Sequence, residues 1–481
     1  MPQALERPDF SGLASYKASI LACIVLLAVL WGAGVAVADL NALYLCISLI
    51  GCAFILFDFR IGVVLLIVLM PISTSAVFPH AMFGVSGLNP FNLLLAGTLG
   101  SCLLHGLSDG SLRRFLPHPL LWLYIVPILG AGMLGSRHVG EIGPAFYAYE
   151  MVSYVDVAGY ARDMVGKPLL LVVFALLVGA AVSRSAQPEQ FLLPVVVSIW
   201  AIGLIVIVFV LQSGIGLGQL ASSDSREFLS ALGLHANDLG RVFATAYALL
   251  LFSWSESKQP GSRLALLASI GLVVAALVLT FSRGAFVGFI VVNLLFLVWR
   301  RSAKTLVFFG LLVSIALLWL PAVVYDRALT GAGEGLNSIS AGRVEGLWLP
   351  LLPEVMRSPI YGSGLGSIMW SEPMRSGGGA NVLQVTHPHN AYLQALLDMG
   401  ALGLILLCAY FFHVWRGFRT LRLDPDLSPA LRGLYQGAAA ALLALLASNL
   451  TDGSLTPRPE QALLWLVIGM MYGQLDKRPV H

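Results

Sequence analysis

The sequence has 481 residues, of which 58% are hydrophobic and only 11% charged. A water-soluble domain carries nearer a quarter charged residues, so most of this chain faces lipid. The net charge of +3 is spread over short connections and offers no basic patch for nucleic acid. The five cysteines lie inside apolar runs without CxxC spacing, which speaks against a disulfide framework or a zinc centre.

Apolar periodicity predicts helices at roughly 18–38, 40–57, 61–79, 90–106, 118–134, 167–183, 191–212, 239–254, 264–281, 284–299, 304–322, 391–415, 430–450 and 461–475. The fold expected is an all-α polytopic membrane protein with about fourteen spans, twelve at the fewest. The third span, with Pro71 and several small polar residues, is the least regular. Lys17, Arg60, Arg113 with Arg114, Arg184, Lys258 with Arg263, Arg300 with Arg301 and Lys304, Arg416 with Arg419 and Arg422, and Lys477 with Arg478 fall on one side of this threading. By the positive-inside rule that side is cytoplasmic, and both termini lie there. Residues 1–322 read as N-terminal membrane helices, 323–390 as one large outer loop and 391–481 as C-terminal membrane helices, integrated in a single membrane domain. Two shorter outward segments are expected at 135–166 and 213–238. Within the large loop, Gly331 to Gly335 and Ser376 to Gly379 mark turns, and Gly346 to Arg357 has the pattern of an amphipathic helix.

Charges at the outer rim carry the chemistry. The loop holds Arg327, Arg343, Arg357 and Arg375 and no lysine, and the arginine fork suits phosphate oxygens. Ion pairing with Asp326, Glu334, Glu345, Glu354 and Glu372 is the plainer use of these arginines. Arg241, after His235-Ala-Asn237-Asp238-Leu-Gly240, and Arg283, in Thr280-Phe-Ser282-Arg283-Gly284-Ala285, stand at outer ends of apolar helices. A charge there is costly and marks a functional candidate, with snorkelling as the alternative. His387-Pro388-His389-Asn390-Ala391-Tyr392 closes the loop. Asn390 is a natural N-cap for the helix that follows. It places His389 beside the positive helix end, where a neutral imidazole can accept a proton. His387 and His389 alone make a poor metal site, and no outward acidic cluster is evident to complete it. Gly362-Ser-Gly364-Leu-Gly366 has the composition of an anion nest or of a simple turn. Asp424-Pro-Asp426 imitates a metal-binding DxD but sits in a cytoplasmic turn.

In this order, the Asn-bearing turn, the Ser-Arg-Gly-Ala junction and the loop running from Arg343 through Pro359-Ile-Tyr-Gly362-Ser-Gly364 to His389-Asn390-Ala-Tyr392-Leu393 resemble the O-antigen ligase and O-antigen polymerase (Wzy-like) superfamily of bacterial inner-membrane proteins. The resemblance covers roughly residues 190–410 at motif level. It implies a multi-pass protein of the inner membrane with its active site on the periplasmic face. It also implies a metal-independent glycosyltransferase, without a cofactor, that takes glycan from an undecaprenyl-pyrophosphate donor. By motif match His389 would be the catalytic base, or would orient the leaving pyrophosphate, and Arg241, Arg283 and Arg343 would bind that pyrophosphate. His387, Asn237, Ser282, Asn390 and Tyr392 would support them. The chemistry is economical, because the leaving group is already charged and needs only electrostatic stabilisation and one base. The acceptor would be lipid A-core for a ligase or a second lipid-linked repeat for a polymerase, the latter with a chain-length regulator as a partner. A membrane transporter is the competing class, but such proteins gather ionisable residues near the midplane and often show repeats. No repeat is evident in this chain.

Overall fold

A computed structural model describes residues 40–477 apart from 74, 76–77, 111–114, 215–228, 234, 301–306, 308–332, 334 and 376–384, together with Val25, Leu26, Val29 and Gly32. In chain order the main helices are α1 (Leu40–Phe57), α2 (Phe59–Leu69), α3 (Pro90–Asp109), α4 (His118–Glu141), α5 (Val157–Ser183), α6 (Pro188–Ser213), α7 (Ala236–Glu256), α8 (Pro260–Leu279), α9 (Arg283–Arg300), α10 (Leu349–Arg357), α11 (Ala391–Arg422), α12 (Pro429–Ser448) and α13 (Ala462–Asp476). Among the described residues the β-structure is one short hairpin, Ala81–Met82 against Val85–Ser86. Nine helices among the described residues are long and apolar enough to cross a membrane: α1, α3 to α6, α8, α9, α11 and α12. The expected helices at 18–38 and 304–322 lie outside the described residues, apart from isolated positions. Lys17, Arg113, Arg114, Arg301, Lys304, Arg327, Asp326, Glu334 and Arg478, and most of both glycine-rich turns, lie outside them too.

Two expected elements differ. The span at 61–79 is only the 11-residue α2, because the chain turns at Leu69 ahead of Pro71, which has no N–H to give a helix. The outward segment at 135–166 is mostly helical: α4 runs on to Glu141, and α5 begins at Val157 behind the Asp156 cap, which accepts from the Gly159 N–H (2.7 Å). Pro168 reads as a helix start, but a π-turn over Ala161–Gly166 carries the helix into it. Helix α13, at 15 residues, is shorter than the roughly 20 a perpendicular span requires.

The chain divides into two units. In one, formed by residues 1–62 and 79–101, Ser101 Oγ donates to the Ile55 carbonyl (2.7 Å) and Gly97 packs on Cys52. The other, residues 63–78 and 102–481, contains the candidate site. There α12 lies tight against α7, since a Cβ on Gly437 would stand 2.6 Å from the Ala248 carbonyl oxygen. Helix α13 runs parallel to α5, with Gly469 and Gly473 against Ala175 and Gly179. Arg263 stacks on Trp254 and Arg422 on Trp299, Arg300 bonds Glu256, and Lys477 donates to the Ser185 carbonyl (2.5 Å). These basic residues therefore gather at helix ends opposite those bearing Asn237, Arg283 and Asn390, as the positive-inside reading requires.

Part of the large loop is not a loop in water. Residues 359–370 form a wedge whose Leu365, Ile368, Met369 and Trp370 are buried. Helix α11 breaks at Gly400 (φ 64°, ψ −169°), and the amides freed there donate into the wedge: Ala401 N to the Pro359 carbonyl (2.8 Å) and Leu402 N to that of Ile360 (3.1 Å). On its other side Leu365 N donates to the Ala131 carbonyl of α4 (3.0 Å), and Tyr160 Oη of α5 to the Leu365 carbonyl (2.8 Å). The glycine-rich stretch is indeed a nest, but the anion in it belongs to the chain. Asp398 Oδ1 accepts from Gly366 N (3.1 Å), Ser367 N (3.1 Å) and Ser367 Oγ (2.8 Å). A nest already filled by a buried carboxylate does not take a substrate phosphate.

Candidate functional site

The site is assembled at the helix ends around one residue that the sequence reading did not single out. Asp452 sits in the turn between α12 and α13, and its two oxygens face different groups. Oδ1 lies 3.0 Å from His389 Nδ1, 3.8 Å from His387 Nε2 and 2.9 Å from the Gly453 amide. Oδ2 accepts from Asn237 Nδ2 (2.8 Å) and faces Arg241 Nη1 at 3.4 Å. Gly453 has φ +93°, and a Cβ there would stand 2.3 Å from Asn449 Oδ1 and 3.2 Å from Arg241 Nη1. Glycine is required because the turn folds back on the guanidinium.

Arg241, on the first turns of α7, is 6% exposed. Its Nη2 bonds Asp238 Oδ1 (2.5 Å) and faces Glu460 Oε1 at 3.5 Å, so three carboxylates surround one cation. Its Nε is buried and has no hydrogen-bond partner. Burial pushes the Glu460 carboxyl up, Asp238 adds to this and Arg241 opposes it. Asp452 is different: burial works against its ionisation, but His387, His389 and Arg241 outweigh it and hold the carboxyl well below the usual range. Burial pushes His387 down to about 4, with Asp452 opposing, so this ring is neutral near pH 7.

The loop end is built to aim the histidines. Asn390 caps α11 as expected, its Oδ1 accepting from Tyr392 N (3.0 Å) and Leu393 N (3.1 Å). His389, just before the cap, has φ +51°, a left-handed conformation uncommon outside glycine and often found at functional positions. Tyr392 Oη donates to the Leu446 carbonyl of α12 (2.8 Å), and Ala391 N to that of Asn449 (2.9 Å), which locks the loop end onto the Asp452 turn. Because an ionised carboxylate only accepts, Nδ1 of His389 is the protonated nitrogen and Nε2 the acceptor. Arg343 reaches the same turn, Nη1 donating to the Thr451 carbonyl (2.6 Å). Ser282 and Arg283 begin α9. Ser282 Oγ accepts from Ala285 N (3.3 Å), and a Cβ on Gly240 of α7 would stand 3.0 Å from the Ser282 Cβ. The structure thus gathers Asn237, Arg241, Arg343, His387 and His389 about Asp452, uses Asn390 and Tyr392 to hold the backbone, and sets Arg283 at the neighbouring helix start.

The absence of a third ligand beside the two histidines is corrected as well. Ligand atoms of His387, His389 and Asp452 lie within 4.8 Å of one another. Asp424 accepts from Asp426 N (2.9 Å) in an ordinary turn. A cavity of about 770 Å³ opens at the opposite helix ends, between Asp109, Arg184, Tyr472 and Asp476, away from this chemistry.

Residues 267–408 match the family model described as O-antigen ligase. That segment of the chain is similar to the O-antigen ligase family. The match supports a membrane glycosyltransferase of the O-antigen ligase or polymerase type acting on lipid-linked glycan. It takes in Arg283, Arg343, His387 and His389. The other half of the candidate site, Asn237, Arg241, Asp452 and Glu460, lies outside the matched segment and joins it only in three dimensions. No curated protein matches the chain.

Proposed function

We propose that the protein transfers glycan from an undecaprenyl-pyrophosphate donor to an acceptor hydroxyl at the periplasmic face of the bacterial inner membrane, in the manner of an O-antigen ligase with lipid A-core as acceptor. The observation that carries this reading is the hydrogen bond between His389 and Asp452. The carboxylate fixes the tautomer, Nε2 takes the proton of the acceptor hydroxyl, and the imidazolium that forms is stabilised by the same carboxylate. The hydroxyl oxygen attacks the anomeric carbon, and the bond to the pyrophosphate oxygen breaks. Arg283 and Arg343 meet the leaving charge, and Arg241, buried among three carboxylates, holds Asp452 in place beneath them. The clustering of basic residues at the opposite helix ends supports a periplasmic site. One displacement inverts the anomeric centre. The reading needs no metal.

Purified protein in vesicles, given radiolabelled undecaprenyl-pyrophosphate glycan and lipid A-core, should shift the core on a gel. A ladder of lengths on the lipid carrier would instead identify a polymerase, the alternative that uses the same donor chemistry and a chain-length regulator. Intact donor with either acceptor would refute both.

A further inference from the structure

Helix α10 has a face that no part of the described chain covers. Leu349, Leu352 and Met356 fall on one side of it at spacings of three and four, with 53%, 49% and 73% of each exposed. Ile360 and Tyr361 extend the patch at 57% and 66%. The helix has two other sides. Leu347, in the preceding turn, and Leu351 are fully buried against the protein. Glu354 and Arg357 pair on the flank (2.8 Å), where Arg357 also bonds Glu372. A water-facing loop has no use for five large bare apolar side chains in one patch.

The patch is continuous with a surface that meets lipid. The Ile360 carbonyl accepts from Leu402 N of α11 (3.1 Å), and Leu402 opens the uncovered stripe of that helix, followed by Ile405 and Phe412. Helix α11 is one of the candidate membrane spans, so its bare stripe faces acyl chains. We infer that α10 lies in the head-group layer of the bilayer, with Leu349, Leu352, Met356, Ile360 and Tyr361 among the acyl chains and the Glu354–Arg357 pair among the head groups. The partner is the lipid surface itself. A helix with one apolar and one charged side, lying in the interface plane, is the ordinary form of such an association. Its consequence reaches the candidate site. Trp348, immediately before α10, donates its Nε1–H to the carbonyl of Pro388 (2.8 Å), between the two histidines. The seat of α10 in the membrane therefore sets the depth at which His387 and His389 stand.

The test uses the full chain, with Cys23, Cys46, Cys52, Cys102 and Cys408 replaced by serine or alanine, in vesicles of phosphatidylethanolamine and phosphatidylglycerol. A nitroxide is placed at Met356→Cys or Leu352→Cys, both uncovered positions that leave the core intact, and at Glu372→Cys, an exposed position whose carboxylate bonds Arg357 on the charged flank. Collisions with oxygen, which concentrates in lipid, are compared with collisions with a water-soluble nickel chelate. Oxygen should dominate at 352 and 356, and the ratio should reverse at 372. Nickel dominating at 352 and 356 would overturn the inference, because the helix would then lie in water. Shielding from both reagents, or spin–spin broadening from a second copy, would overturn it too, since protein rather than lipid would cover the face.

Discussion

His389 Nδ1 lies 3.0 Å from Asp452 Oδ1, while the other oxygen of Asp452 faces Arg241. One carboxylate thus links a residue of the large loop to a residue on α7 more than a hundred positions earlier in the chain. The imidazole is oriented by Asp452, and Asp452 is oriented by Asn237, Gly453 and Arg241.

If the link matters to catalysis, Asp452→Asn should lower turnover by roughly 10²-fold or more, the usual contribution of a positioned acid–base group, with little effect on KM. Melting temperature measured alongside separates this from misfolding. A loss confined to KM would place Asp452 in ground-state binding instead.

The three carboxylates around Arg241 should not be equivalent. Glu460 is fully inside and is pushed towards its protonated form, which Glu460→Gln imitates. That variant should melt close to wild type. Removing the cation by Arg241→Leu leaves buried carboxylates facing each other and should cost about 3–5 kcal/mol, the usual penalty for breaking a buried pair. Chemical denaturation in detergent micelles measures both.

His387 gives the fold a pH dependence. Its pKa falls from an ordinary 6.5 to about 4 on folding, so between those values the unfolded chain holds the proton that the folded chain does not. Stability from this group is complete above about pH 6.5, declines as the pH falls, and is gone below about pH 4. The loss should be up to about 3 kcal/mol. His387→Phe should flatten the melting-temperature profile between pH 4 and 6.5, and an unchanged slope would assign it elsewhere.

The wedge should be intolerant of side chains. A Cβ on Gly400 would stand 2.3 Å from the Ile360 carbonyl oxygen, and one on Gly364 would stand 2.1 Å from Gly135 N, both at positive φ. Gly400→Ala or Gly364→Ala should destabilise by about 2 kcal/mol or more, and Ser367→Ala, which removes one hydrogen bond to Asp398, by about 1–3 kcal/mol. Thermal melts of the three variants order these effects.

Chelation addresses the metal question directly. With His389 bonded to Asp452, treatment with a strong chelator should leave glycan transfer unchanged. Inhibition reversed by one divalent ion would mean that His387, His389 and Asp452 are ligands.

Much of this was legible locally. Apolar length announced the helices, Asn390 announced its own cap, and the lone arginines at apolar helix ends announced one end of the bundle as the place for chemistry. The misses at the site share a cause, which is that the decisive partner is distant in sequence. Asp452 looks like an ordinary Asp-Gly turn until α12 and α11 bring it to His389, although its position between two apolar helices in a charge-poor chain was a usable signal. The nest at Gly362–Gly366 was visible, but not that Asp398 fills it, because a carboxylate on α11 gave no sign of pointing at the wedge. The early start of α5 has a local cause instead, a π-turn over Ala161–Gly166 that carries the helix into Pro168, and no propensity rule registers that.

The central claim is that His389, held by Asp452, takes the acceptor proton. Its most direct test is single-turnover transfer of radiolabelled lipid-linked glycan by wild type, His389→Ala and His387→Ala, each verified to be inserted and folded. The account predicts that His389→Ala loses about 10²-fold or more and that His387→Ala keeps most of the rate. Near-normal turnover by correctly folded His389→Ala would contradict it.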